Sequence, residues 1–344
     1  MPDTEPAVPQ FINEAAALWA ASATARSWRG DADQAAALRD EVVADLPAID
    51  DAARRWSQLG AELDPTRVRV LGRLGWVRTN LASFQGAFEP LRSKLGPKRA
   101  LTGRVLGVQL GAVLGLLSSK VLGQYVLPLG GEGSGHLVVV GPNILDLAQE
   151  HGGLAVDVRR TVLLHEVTHR LQFDSTPWLG AHLRDLVSRY LAATRVDASA
   201  IAELAPRLPE AVAEARSTGD IQPLLSVVLT PGQVEVIDEA QGLMTLLEGH
   251  GNTAMAEAAD GLVSDTEGVR QALASRHGDV TSKVLTAVAG LEMKRRQYRE
   301  GEVFVRTVIE QSGVAGLNRA FSQPQNLPSL DEVADPAGWL TRVG

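Results

Sequence analysis

Five consecutive residues, His165-Glu166-Val167-Thr168-His169, have the types and spacing that metal-assisted chemistry needs. Positions i and i+4 of a helix lie on one face, a turn apart. Two imidazoles so placed can direct ring nitrogens at one zinc ion at about 2.0–2.1 Å. Glu166 follows the first histidine and would stand beside the ion, where its carboxylate can take a proton from water. Zinc lowers the pKa of its water from about 15.7 to about 7, so this transfer becomes feasible near neutrality. The competing reading is a pair of core histidines bonded to carbonyls, since buried polar rings need partners.

A catalytic zinc takes three protein ligands and keeps one position open. The chain has no Cys, so the third ligand must be His, Asp or Glu. An extended motif would place Gly three and His six residues after His169, but those positions hold Gln172 and Ser175. His182 lies beyond Pro177 and would need a sharp return. Glu248 is the stronger candidate. It continues the stripe Val234, Ile237, Gln241, Met244, Glu248, and a carboxylate on a buried stripe is costly unless a cation pairs with it. The cation is zinc in a His₂Glu set, or else a buried Arg. His250 competes for the same place. Residues i and i+2 do not share a helix face, so Glu248 and His250 both reach one ion only if the helix ends at Gly249. Otherwise His250 sits behind a ligand or donates to the reacting oxyanion.

The elements that must position these groups are mostly helices. Val158, Val162, His165 and His169 fall at spacings of four, three and four, widened by Leu163, Leu164, Val167 and Leu171. This predicts a packed helix over 155–173 with both imidazoles on its inward stripe. Further helices are expected from Pro177 to about Arg195, over 232–249, and over 262–313 with breaks near Gly278 and Gly301. Residues 10–95 read as helices punctuated by Pro47, Pro65, Pro90 and Pro97, including a stripe of Val70, Leu74, Val77, Leu81 and Phe84. Gly103, Gly107, Gly111 and Gly115 mark a helix packed closely on another backbone. Two apolar runs, 124–129 and 136–140, flank a Gly-rich turn and predict a hairpin, with Pro142-Asn143 opening the next helix. The strand at 136–140 offers an edge on which an extended peptide could pair. The fold class is therefore mainly α (α+β) with a small hairpin or sheet. The expected division is an N-terminal helical region, 1–100, and a catalytic region, 101–344.

Composition narrows the function. The net charge of −8 makes nucleic acid and anionic membrane poor partners. The segment 105–129 is interrupted by Gln109, Ser118, Ser119, Lys120 and Gln124, unlike a bilayer span. The start, Met1 to Pro6, lacks a basic stretch followed by an apolar one, so no signal peptide and a cytoplasmic location are expected. The absence of Cys removes disulfides, thiol catalysis and iron–sulfur clusters. The Gly130–Gly135 turn lacks a following Lys-Ser or Lys-Thr, which argues against a nucleotide loop. Lys294, Arg295, Arg296 and Arg299 around Tyr298 read first as a solvated helix face. Asp174 either orients a ligating imidazole or begins the next turn.

HEVTHRLQF (165–173), LEGH (247–250) and KRRQYREGEVF (294–304) resemble the zincin-like family of zinc metallopeptidases found mainly in actinobacteria and often labelled as associated with deazaflavin-coenzyme biosynthesis. VLGQY (121–125), VGPN (140–143), NLP (326–328) and Asp335-Pro336 also match, so the resemblance covers most of the chain beyond about residue 70. It implies a mainly helical zincin-type domain, with His165, His169 and Glu248 as zinc ligands and Glu166 as base. It also raises the reading that Tyr298 or Arg295 stabilises the tetrahedral oxyanion. The expected activity is zinc-dependent hydrolysis of a peptide or small amide; the alternative is a zinc-stabilised binding or scaffold protein without turnover.

Overall fold

The computed structural model describes residues 12–88, 99–129, 133–193, 210, 230–275 and 292–344. The fold is mainly helical around a three-stranded sheet, as expected. In chain order the elements are α1 (Glu14–Thr24), α2 (Ala32–Ser57), β1 (Val68–Leu71), α3 (Arg73–Phe84), α4 (Arg99–Leu117), β2 (Gly123–Val126), β3 (His136–Val140), α5 (Gly141–Glu150), α6 (Ala155–Ser175), α7 (Pro177–Ala193), α8 (Pro231–Glu257), α9 (Thr266–Ser275), α10 (Glu292–Leu317), α11 (Leu330–Ala334) and α12 (Pro336–Val343).

The sheet has the order β1-β3-β2. The β2–β3 pair is the expected hairpin, with Gln124 opposite Val138. β1 pairs parallel to β3, Val70 opposite Val139. Two expectations change here. Val68–Leu71 is strand and not helix: Val68 and Val70 alternate with Arg69, and this period of two wins once β3 supplies a partner. β3 is the central strand and has no free edge; β2 is the outer strand on that side.

Pro47 lies inside α2 and does not end it. A proline in a helix interior costs about 3 kcal/mol. Leu38, Val42, Leu46, Ile49 and Ala53 are buried along that helix, and their burial offsets the cost. The α4 glycines pack on α1, as expected. A Cβ on Gly107 would fall 2.6 Å from the Asn13 carbonyl oxygen and one on Gly115 2.7 Å from that of Ala21. Gly301 lies within α10 and makes no break; the kink is at Gly313, with φ 71°. Gly278 lies outside the described residues.

Two apolar clusters form the core around the site. One joins α2, the sheet, α5 and α6, and includes Val158, Leu163, Val167 and Leu171. The other joins α7, α8 and α10, and includes Leu243, Leu247, Phe304 and Val308. Phe173 at the end of α6 packs against both. The start of α6 is tied down by Asp157, whose carboxylate accepts from the backbone N–H groups of Ser264 and Asp265 at 3.0 and 2.9 Å. The start of α8 is set by a capping box between Thr230 and Gln233, with Pro231 in its first turn. No helix among the described residues is long and apolar enough to cross a membrane.

Candidate metal centre

α6 and α8 cross so that His165 and His169 face Glu248. The two Nε2 atoms stand 3.0 Å apart, and Glu248 Oε2 lies 3.5 Å from the first and 4.0 Å from the second. Among the described residues this is the one group of three potential ligands gathered within 4.8 Å. Four bonds of about 2.05 Å in a tetrahedron put neighbouring donors about 3.3 Å apart. The observed separations bracket that edge, and two imidazoles with one carboxylate form a zinc donor set. The residues fit the metal.

α8 runs through Gly249 and Gly251 to Glu257, so Glu248 and His250 project from different faces. His250 is fully buried, with its ring 4.9 Å from that of Trp56 and 5.6 Å from that of Phe321. Its Nδ1 meets Gln172 Nε2 at 2.8 Å, and its Nε2 has no partner among the described residues. Burial first, and His169 second, push its pKa down to about 3, so the ring is neutral at neutral pH.

Glu166 is buried beside the centre. Burial pushes its pKa up to about 7, against a downward pull from His169; Glu248 adds to the rise and a bond from the Tyr125 backbone N–H opposes it. A dication held by the three ligands would draw it down again. Gly123 on β2 makes this placement feasible, because a Cβ there would fall 2.6 Å from Glu166 Cγ. Gly251 does the same for the imidazoles: its Cβ would lie 2.9 Å from His165 Cε1 and Nδ1 and 3.4 Å from His169 Cε1.

Asp174 stays in the last turn of α6, where it accepts from the Tyr125 hydroxyl and from Arg170 Nε at 3.1 Å. The group that contacts the His169 ring from behind is Gln172, 2.8 Å from its Nδ1. In the sequence Gln172 stands out only as a departure from a longer motif. Its position three residues after His169, on the same helix face, was the available signal. His182 pairs at 3.7 Å with Glu239, apart from the centre. Tyr298, with Lys294, Arg295, Arg296 and Arg299, lies on α10; these side chains are outside the described residues.

A solved structure, that of a candidate hydrolase with a novel fold from Chloroflexus aurantiacus, is similar to this chain with a TM-score of 0.71 and 28% identity, over 96% of this chain and 98% of that one. Among curated proteins none matches. Residues 12–340 match the family described as zincin-like metallopeptidase. The match spans nearly the whole sequence and includes both helices of the His165–His169–Glu248 cluster, and the chain belongs to that family.

Proposed function

We propose that the protein is a zinc-dependent hydrolase of peptides or small amides, in which His165, His169 and Glu248 hold the metal and Glu166 is the general base. The observation that carries this reading is the gathering of those three donors beside a buried carboxylate. Zinc, when bound, supplies Lewis acidity toward a carbonyl oxygen and makes a water molecule acidic near neutral pH. Glu166 takes the proton of that water and returns it to the leaving amine. The Tyr125 N–H steadies the Glu166 carboxylate, and β2, which carries Tyr125 and Gly123, is the strand along which an extended peptide would lie. We assign the tetrahedral oxyanion to Tyr298. This role rests on the likeness of the 294–304 segment to the family, whose match covers it. The net charge of −8 supports small substrates or peptides as partners over nucleic acid or anionic membrane.

The test is Glu166→Gln assayed for zinc content and for cleavage of a mixed peptide library. The variant is expected to keep zinc and lose cleavage. If the wild-type protein binds zinc but cleaves no peptide or amide, the hydrolase reading falls and a zinc-stabilised scaffold replaces it.

A further inference from the structure

We propose that Gln172 is a positioning residue that holds His169 as the Nδ1–H tautomer, so that His169 Nε2 presents a bare lone pair to the metal centre. The proposal rests on the zinc reading above and adds to it a device that selects the binding form of one ligand before the metal arrives.

One partner of the Gln172 amide has no choice of role. The Leu247 carbonyl oxygen can only accept, and it lies 3.1 Å from the Gln172 amide nitrogen. That contact fixes which end of the amide is NH₂, because the reverse orientation would set two oxygens against each other. The other N–H of the same group points at His250 Nδ1, 2.8 Å away. Both donors are therefore committed. Oε1 is left facing His169 Nδ1 at 2.8 Å, and an amide oxygen only accepts. His169 Nδ1 must carry the proton. In a neutral ring Nε2 is then unprotonated, and Nε2 is the atom facing His165 and Glu248.

The chain also runs between the two helices that form the site. Leu247 precedes Glu248 on α8, and Gln172 follows His169 by three residues on α6. One amide thus ties the placement of the carboxylate ligand to the protonation of an imidazole ligand. His165 has no counterpart: its Nδ1 is buried without a partner among the described residues. The two histidines are unequal, and Gln172 pre-sets only the second. Partners behind a ligating imidazole commonly change metal affinity by about 10–100-fold.

The experiment has two readings. Long-range proton–nitrogen correlation spectra of the zinc-free wild-type protein, at a pH of about 8 where imidazole is neutral, report the tautomer of His169, identified by its loss in a His169→Asn variant. The expected result is a proton on Nδ1. Zinc affinity of Gln172→Met, measured by chelator competition with folding checked by circular dichroism, is expected to fall about 10–100-fold below wild type. A folded Gln172→Met that binds zinc like wild type overturns the proposal. So does a wild-type protein that binds zinc yet carries the His169 proton on Nε2, a reading that stands even if the Met variant does not fold. A wild type that takes up no zinc overturns the metal centre itself, which is a separate result.

Discussion

Replacing Gly251 by Ala separates two effects of opposite sign. Gly251 sits inside α8, where Ala is favoured over Gly by about 0.8–1.0 kcal/mol on helix propensity alone. Its Cβ would stand 2.9 Å from two atoms of the His165 ring, closer than real Cβ contacts allow. In the zinc-free protein the rings can turn aside, so the variant is expected to lose little stability or to gain up to about 1 kcal/mol. With zinc bound both rings are pinned, and overpacking costs about 1–3 kcal/mol. That range converts to roughly 5- to 150-fold weaker zinc binding. Chelator competition gives the affinity and chemical denaturation of the zinc-free protein gives the stability. Gly180→Ala is the matched control, since its nearest neighbour is the flexible end of Arg184 at 3.4 Å. Unchanged zinc affinity in a folded Gly251→Ala protein would refute the placement of the rings against α8.

Tyr125 is expected to make the fold sensitive to alkali. Burial, and then its bond to Asp174, push the phenol above its usual value of 10.0. Below pH of about 10 the phenol is neutral in both states; above it the unfolded chain releases a proton that the folded chain keeps, so stability falls as pH rises. Tyr125→Phe is expected to flatten that fall in denaturation curves taken from about pH 8 to about pH 11, and an unchanged slope would count against the buried phenol. Arg159 pairs with Asp45 at 2.7 Å, with side chains 6% and 10% exposed, and also with Glu41. Arg159→Ala is expected to cost about 1.5–3 kcal/mol in urea denaturation, because it removes one of the two guanidinium groups that hold the buried Asp45 carboxylate. A loss well under about 1 kcal/mol would show that Arg160, already 2.9 Å from the Asp45 carboxylate, compensates it alone.

The sequence made visible what is local. Two histidines a turn apart imply a shared face without knowledge of the rest of the chain. The stripe that singled out Glu248 is not the buried one: Val234 is exposed, Ile237, Gln241 and Met244 are half-buried, and the buried face of α8 carries Val236, Leu243, Leu247 and His250, because the packing of α7 and α10 and not the spacing alone decides which face turns inward. The glycines of α4 were legible for the same reason, as a period of four on one helix. What was hidden depends on distant partners. Val68–Leu71 carries both a helical and an alternating pattern, and only pairing with β3 decides between them. Pro47 looks like an end until the burial of α2 on both sides of it is known. Gly123 and Gly251 read as ordinary glycines; their meaning is clearance for side chains on α6, which chain spacing cannot reveal.

The crossing of α8 and α10 has a further consequence. Gly249 and Gly301 meet backbone to backbone, and a Cβ on either would run into the other helix. No compressible side chain lies between them to absorb strain. The place of Glu248, one residue from Gly249, is therefore set by a direct backbone contact with α10. A side chain introduced at Gly301 would push the two helices apart and carry the Glu248 carboxylate away from His165 and His169.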